Sequence, residues 1–332
     1  MKGPRRNSGR SVKELLQLYG FVGVMVLVII ALSLSTRSFL TVKNIVALVH
    51  TAAPMLITAA GLAMVVMTGK LDISIGSVSF LTSTVGAILM VRMGVSPVLA
   101  IPVIFLLGAV VGLITGFFVV HLKVNPLIAS LGMLFAVRGV ALRLTGGRVI
   151  SMPEAIAEFG NMTIGRFLYV DIVIALVFLV VVHLIHTRTY YGRHIMAIGN
   201  DEETARRLGV RVQSVTMTSF VVSGFCAAIG GFFTAAQIGA VTLHMGQGLE
   251  FTAIAMIVVG GISLFGGEGS ILPGFFLGVI TLNLIENGLN HLGASPYLYP
   301  FVRGGIIFAA MYADTLKSRV RTRVRAVVEA AS

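Results

Sequence analysis

Charged residues are scarce in this sequence. Only 11% of its 332 residues are charged and 56% are hydrophobic, whereas soluble domains carry about 25% charged residues. Its mean hydropathy is +0.96. These values exclude an ordinary water-soluble globular protein.

Cysteine and tryptophan are almost absent. The single cysteine, Cys226, excludes a disulfide within the chain and identifies no cellular compartment. With no tryptophan, any aromatic belt at a membrane surface must consist of tyrosine and phenylalanine.

Catalytic motifs are also missing. The sequence contains no GxxxxGK[ST] phosphate loop, so we expect no ATP site of the usual kind in this chain. It has no HExxH, GxSxG or CxxC motif either. We therefore predict no catalytic residue, no metal site and no cofactor in the chain itself.

Long apolar runs predict an all-α polytopic membrane protein, because a bilayer is crossed by roughly 17–25 apolar residues. We expect about ten transmembrane helices with both termini in the cytoplasm. The predicted spans are roughly 20–34, 46–68, 73–91, 98–120, 126–143, 168–187, 213–236, 250–265, 270–290 and 297–313.

The net charge of +12 would suggest a nucleic-acid partner in a soluble chain, but the positive-inside rule explains it better. With the N-terminus inside, seventeen Lys and Arg residues fall on the cytoplasmic side and six fall outside. Arg138 and Arg303 lie within predicted spans. We therefore expect a multi-pass protein with the lipid bilayer as partner and no nucleic acid.

The chain divides into a membrane domain between two basic tails. We predict a cytoplasmic N-tail at 1–19, a transmembrane domain at 20–313 and a cytoplasmic C-tail at 314–332. The apolar run after the first tail favours an uncleaved signal anchor, because no clear cleavage site follows it.

The most charged interruption of the membrane domain, residues 189–213, predicts a short cytoplasmic helix over about 201–208. Asn200 is the expected N-cap, with Glu203 closing a capping box, and Gly209 is the expected stop. The i,i+4 pairs expected in it are Glu202–Arg206 and Glu203–Arg207. So short a helix is marginal alone in water, so we expect it to dock on an energy-supplying partner.

Two glycine-rich stretches, 63–77 and 255–270, resemble each other, and each lies at a predicted inward turn. One interpretation is a pair of broken helices lining a cavity, because irregular backbone is tolerated in membranes only inside protein or along water. The other is a pair of ordinary turns.

Several polar residues are costly where they stand. Arg138 lies near mid-span, where a charge costs roughly 2.5–3.5 kcal/mol unless it meets a partner or water. Asp72 either serves transport or is a solvated residue that caps the helix beginning near Ile73. A helical stripe forms either a polar wall along a solute path or an interhelical hydrogen-bonding seam. Its members are Asn283, Glu286, Asn287 and Asn290.

Four motifs resemble one known family in unbroken order. TGKLDISIGS (68–77), NPLIASLGMLFAVRGVALRLTGGRVI (125–150), YGRHIMAIGNDEETARRLGV (191–210) and NGLNHLGASPYLYPFVRGGII (287–307) are similar to motifs of the permease subunits of simple-sugar ABC importers. The likeness covers about 45–313. Lys70 stands where the family usually has glycine, and Asn200–Asp201 stand where it has Gly-Asn.

This resemblance implies a bacterial inner-membrane permease that moves a small sugar or sugar-like solute. A second permease copy or paralogue would complete a dimeric pore. A periplasmic or extracellular sugar-binding protein would deliver the solute, and a cytoplasmic ABC ATPase would hold the ATP and Mg. The residues predicted to couple to the ATPase are Gly192, Arg193, Asn200, Asp201, Glu202, Glu203, Ala205, Arg206, Arg207, Leu208 and Gly209.

The predicted translocation path combines the glycine-rich turn, the motif around Arg138 and the polar stripe. We also expect the outer loop after the fifth span to lie near the pore mouth or the surface that receives the delivery protein. The path residues are Gly69, Asp72, Ser74, Gly76, Asn125, Pro126, Arg138, Thr145, Gly146, Gly147, Asn283, Glu286 and Asn287.

Two other classes stay open on the residues alone. A secondary transporter driven by an ion gradient would place titratable residues deep in its spans, and here they are few: Arg138, Glu286 and Asp72. An intramembrane enzyme or a receptor subunit would need other machinery, and the sequence contains no paired acid–base groups.

Overall fold

The computed structural model of the chain describes residues 39–165, 167–309, 311 and 312, together with scattered positions from 23 to 36. Both predicted tails, at 1–19 and 314–332, lie outside the described residues. Parts of the first and last predicted spans lie outside them as well.

The described residues form helices joined by short connections, with four two-residue strands. In chain order the elements are α1 (Val42–Val66), α2 (Ile75–Ala87) with a π-helical extension (Ile88–Arg92), α3 (Pro97–Val120), α4 (Pro126–Thr145), β1 (Ile150–Ser151), α5 (Glu154–Gly160), β2 (Thr163–Ile164), β3 (Leu168–Tyr169), α6 (Val170–Arg188), α7 (Tyr190–Asn200), α8 (Glu202–Arg207), α9 (Val212–Ile238), β4 (Ala240–Val241), α10 (Leu249–Val259), a π-helical segment (Ile271–Phe275) that leads into α11 (Phe276–His291), and α12 (Leu298–Ala309).

Seven of these segments are long and apolar enough to cross a bilayer: α1, α2 with its extension, α3, α4, α6, α9, and α11 with the segment before it. They correspond to the second to seventh and the ninth predicted spans, and their ends differ from the predictions by at most four residues. The helical, polytopic class is confirmed. Over the described residues, α10 and α12 are apolar but shorter.

The predicted span at 250–265 is wrong in its second half. Its helix, α10, ends at Val259, and the chain turns at Gly260 and Gly261. Gly261 has φ +79°, a left-handed conformation that glycine adopts without strain. The break lies within the second glycine-rich stretch, 255–270.

The chain immediately before α10 folds back into the protein. We call residues 242–248 the re-entrant segment. A Cβ built on Gly76 would lie 2.0 Å from the carbonyl oxygen of Gly246, so the two backbones are in direct contact. Irregular backbone of this kind is tolerated in a membrane where protein surrounds it.

α9 is the central helix of the fold and packs against α1, α2 and α3. Small residues allow close approach: a Cβ on Gly224 would lie 2.2 Å from the carbonyl oxygen of Gly108 in α3. Ser79 in α2 also donates a hydrogen bond of 2.8 Å to the carbonyl oxygen of Ala227. Both contacts are typical of helices that associate in lipid, where packing and hydrogen bonding replace the hydrophobic effect.

The connections separate into two faces. The turn after α1, the connection after α3, the pair α7–α8 and the turn after α10 meet at one face, which we call the coupling face. At the other face, β1 pairs with β4 and β2 pairs with β3, both antiparallel. Alternate connections therefore emerge on opposite sides, as membrane crossings require.

Replacing Gly224 with alanine tests the contact between α3 and α9. We expect Gly224→Ala to lower the free energy of unfolding by about 1–3 kcal/mol, because the added methyl overlaps the backbone of Gly108. The control is Gly132→Ala in α4, where a Cβ meets nothing within 4 Å. Thermal unfolding of the purified variants measures the difference, and equal melting temperatures would contradict this packing.

Candidate functional site

The predicted coupling segment is built from two helices, not one. α7 occupies Tyr190–Asn200 and α8 occupies Glu202–Arg207. The predicted N-cap is wrong: Asn200 ends α7, and Asp201 caps α8 by accepting a hydrogen bond of 2.6 Å from the Thr204 N–H. The capping box with Glu203 therefore does not form.

The charge pattern of α8 is confirmed. Glu202 lies 3.2 Å from Arg206, and Glu203 lies 3.2 Å from Arg207. Gly209 follows with φ +84°, the left-handed stop that the sequence predicted. Such exposed pairs stabilise a helix by only about 0.3–0.5 kcal/mol each, so α8 depends on its neighbours.

α7 is fixed to the membrane helices at its first turn. The Tyr191 hydroxyl lies 2.9 Å from Ser219 Oγ in α9, and burial raises the pKa of Tyr191 to about 12. A Cβ on Gly192 would lie 1.9 Å from the carbonyl oxygen of His186 in α6. Arg193 is stacked over the Tyr190 ring, with its Cζ 4.5 Å from the ring centroid.

The far end of α7 meets both glycine-rich turns. A Cβ on Gly199 would lie 2.0 Å from the carbonyl oxygen of Met67 and 2.2 Å from the N of Gly267. Across the two turns, the Gly267 N–H donates a hydrogen bond of 3.0 Å to the same Met67 oxygen. A Cβ on Gly266 would lie 2.5 Å from the N of Gly69. We call this three-way backbone contact the glycine junction (Gly69, Gly199, Gly266 and Gly267).

Side chains reinforce the glycine junction. Lys70 in the first turn forms an ion pair of 3.0 Å with Glu202 in α8. Asn200 donates hydrogen bonds to the carbonyl oxygens of Met196, at 2.9 Å, and Gly267, at 3.3 Å. The coupling segment is thus in direct contact with both turns.

Asp72 is buried, with 1% of its surface exposed, so the prediction of a solvated turn residue is wrong. One carboxylate oxygen accepts from the N–H and the hydroxyl of Ser74, at 3.0 and 2.6 Å. The other accepts from the Ser223 hydroxyl in α9 at 2.8 Å. Asp72 therefore ties the first turn to the central helix, and α2 begins at Ile75 rather than near Ile73.

Arg138 has hydrogen-bonding and electrostatic partners, as a charge near the middle of a span requires. Its guanidinium donates to the carbonyl oxygen of Met245 at 2.8 Å and lies 5.2 Å from the centroid of the Phe80 ring. It also interacts electrostatically with Glu250. Arg138 thus holds the re-entrant segment against α2 and α4.

The polar stripe of α11 makes contacts between helices. Glu286 forms an ion pair of 2.7 Å with Arg303 in α12, and Asn287 donates to Asn44 in α1 at 3.1 Å. Asn283 is buried and bonds within its own helix to the carbonyl oxygen of Val279. These contacts favour the hydrogen-bonding seam over an open polar wall.

The remaining predicted path residues lie at opposite faces. Asn125 caps α4 at the coupling face, where its side chain accepts from the Leu127 N–H at 2.9 Å, and Pro126 is the first residue of the helix. Thr145 is buried at the far end of α4. Gly146 and Gly147 follow it with φ +65° and +69°, and a Cβ on either meets nothing within 4 Å. Their role at the pore mouth stays a prediction.

The structure therefore brings together Gly76, Arg138 and the re-entrant segment. Arg303 links this group to the α11 stripe, because a Cβ on Gly248 would lie 3.8 Å from Arg303 and Arg303 pairs with Glu286. Sequence reasoning missed Glu250, which is buried with 7% of its surface exposed and interacts electrostatically with Arg138 and Arg303. The sequence contained an indication of this role, because Glu250 is an acidic residue in the first turn of an otherwise apolar helix. Over the described residues, no group of three or more His, Cys, Asp or Glu side chains could hold a metal.

Comparison with known proteins identifies the family of this chain. The family described as "Branched-chain amino acid transport system / permease component" matches residues 44–311. The ribose import permease protein of Escherichia coli (strain K12) is 32% identical over 308 residues, covering 91% of this chain and 95% of the relative.

Two further relatives are similar over comparable lengths. The galactose/methyl galactoside import permease protein of Salmonella typhimurium is 32% identical and covers 90% of this chain and 94% of the relative. The autoinducer 2 import system permease protein of Photorhabdus luminescens is 30% identical and covers 85% of each. No solved structure matches the chain.

Helices able to cross a membrane, together with relatives named as import permeases, thus define a membrane transport component. The chain belongs to this permease family and is the permease subunit of an ABC importer in the inner membrane. These relatives support that class and not the transporter driven by an ion gradient.

Substituting Asp72 tests its hydrogen bonds. Asp72→Ala should lower the free energy of unfolding by about 1–3 kcal/mol, because it leaves the buried Ser223 hydroxyl without an acceptor. Asp72→Asn should be milder, because the amide oxygen still accepts from Ser74 and the amide N–H can donate to Ser223. Folded yield and melting temperature measure both variants. Equal losses would contradict the hydrogen-bonding role and assign it to the charge.

Proposed function

We propose that this permease imports a small sugar or sugar-like solute, using ATP hydrolysed with Mg in a separate cytoplasmic ABC ATPase. Two of the relatives are named for ribose and for galactose or methyl galactoside, and the third for autoinducer 2. The family description names branched-chain amino acids, but similarity to the named sugar permeases extends over about nine tenths of the chain.

The glycine junction is the observation that carries the mechanism. A partner that pushes on α8 acts through Gly199 on both glycine-rich turns. The backbone of α7 touches the backbone of each turn there, so no flexible side chain lies between them to absorb the displacement. The first turn continues to Asp72, and Asp72 holds α9 through Ser223. ATP-driven closure of the partner thereby favours one facing state of the pore, as population shift requires.

The proposal includes a topology and a set of partners. The chain has ten spans, the coupling face and both termini lie in the cytoplasm, and residues 20–313 form the membrane domain. A second permease copy or paralogue completes the pore, and a sugar-binding protein docks at the opposite face, near Gly146 and Gly147. The solute passes beside Gly76, Arg138 and the re-entrant segment.

Reconstitution tests the driving force. In proteoliposomes that contain the chain, its ATPase and a loaded sugar-binding protein, we expect uptake of labelled sugar to require ATP on the coupling-face side. Uptake should persist when ionophores collapse the ion gradients. Uptake by the chain alone, driven by an imposed gradient, would contradict the proposal.

A matched glycine pair tests the docking role of the coupling segment. Gly209→Val should weaken co-purification of the ATPase, because a β-branched residue at φ +84° is strained by about 1–2 kcal/mol and disturbs the end of α8. Gly94→Val is the control: it has φ +67°, open space around it, and a position in the connection on the opposite face.

Charge reversal provides a second variant of the same test. Arg206→Glu should also reduce ATPase binding, because it repels Glu202 and places a negative charge at the negative end of the helix. Co-purification and transport-linked ATP hydrolysis are measured together. Wild-type levels of co-purification and ATP hydrolysis in both Gly209→Val and Arg206→Glu would contradict a docking role for α8.

A further inference from the structure

A cavity of about 420 Å³ opens at the coupling face beside the glycine junction. It lies between the first glycine-rich turn, the connection from α3 to α4, α8 and the start of α9. The volume falls in the range of small-molecule sites, about 300–1,000 Å³. None of the roles assigned above uses this cavity as a site.

The charge of the cavity is positive. Three cations, Lys70, Lys123 and Arg206, line it together with one acid, Glu202. Glu202 is shared, at 3.0 Å from Lys70 and 3.2 Å from Arg206. Lys123 forms no ion pair with any residue that the structure describes. Two positive charges are therefore left without compensation.

Two long helices point their N-termini at the same space. Pro126 is the first residue of α4 and Val212 the first of α9, and both line the cavity. The N-cap of α9, Arg211, makes no capping hydrogen bond with its side chain. The positive end of each helix dipole favours an anion. In α4 the Leu127 N–H is already bonded to Asn125, so there the dipole alone acts.

A buried polar group adds an independent indication. Thr216, one turn into α9, lines the cavity and is 1% exposed. Its hydroxyl has no hydrogen-bond partner in the described part of the chain. Buried hydroxyls normally have a partner, so one that borders a cavity points to a group that occupies it.

We propose that this cavity binds a phosphate group. A phosphate monoester carries about −1.5 to −2 charges near neutral pH, which balances the two uncompensated cations. Its several acceptor oxygens match the lysine and arginine donors and the Thr216 hydroxyl. Because the cavity contacts the first turn, α8 and α9 together, an occupant links the three elements that carry coupling. The site does not depend on which solute is transported.

The phosphate has two sources, an anionic lipid headgroup or a free phosphate compound, and two arms separate them. In the first arm, full-length protein in phosphatidylcholine nanodiscs is titrated with inorganic phosphate at constant ionic strength, and the melting temperature is recorded. Binding to the folded state alone raises the melting temperature with saturation. In the second arm, native mass spectrometry measures retention of cardiolipin, whose headgroup carries two phosphates.

Lys123→Gln is the informative variant, because it removes a cation without breaking an ion pair. We expect it to weaken phosphate or cardiolipin binding roughly tenfold or more, the usual effect of losing a hydrogen bond to a charged group. Lys43→Gln is the matched control, an exposed lysine at the start of α1, on the opposite face. Thr216→Val should weaken binding less, with its fold checked by melting without ligand.

Each outcome decides the proposal. Saturable binding of phosphate alone assigns the site to a free phosphate compound, and binding of cardiolipin alone assigns it to the headgroup. Absence of saturable binding in both arms would overturn the site. Equal effects of Lys123→Gln and Lys43→Gln would overturn it too. The protein is tested without its ATPase, so these results stand apart from the docking experiments.

Discussion

The structure depends on direct backbone contact between α7 and the two glycine-rich turns, where glycine leaves no side chain to separate them. At the glycine junction, Gly199 presses against Met67 and Gly267, and neither turn could approach α7 if a Cβ were present. The same device draws α3 onto α9 at Gly108 and Gly224. In lipid, where burial of apolar surface gives little drive for association, close van der Waals contact is the main source of helix packing. Glycine placement therefore decides which elements come into direct backbone contact.

Arg138, Arg303 and Glu250 make structural contacts inside the helix bundle. Arg138 fixes the re-entrant segment through Met245, while Arg303 joins α12 to α11 through Glu286. Glu250 lies near both arginines. Unpaired charges at this depth would be costly. Their contacts attach the irregular segment before α10 to the helices around it.

Much of the fold could be predicted from the sequence, because long apolar runs and flanking charges report directly on crossing helices. The i,i+4 pairs of α8 and its stop at Gly209 were equally local and were predicted correctly. The predictions failed where a contact between residues distant in sequence determines a helix end or the burial of a side chain. Asn200 ends α7 because it faces Gly267, and Asp72 is buried because Ser223 meets it. Nothing in the local pattern encodes such partners.

At the coupling face, two cations compete for one carboxylate. Glu202 divides its two oxygens between Lys70 in the turn and Arg206 in α8. Any group that draws Arg206 away frees an oxygen, and the whole carboxylate charge then attracts Lys70. The attraction between α8 and the first turn would then increase. In such a linkage, occupation of the outer bond strengthens the inner one.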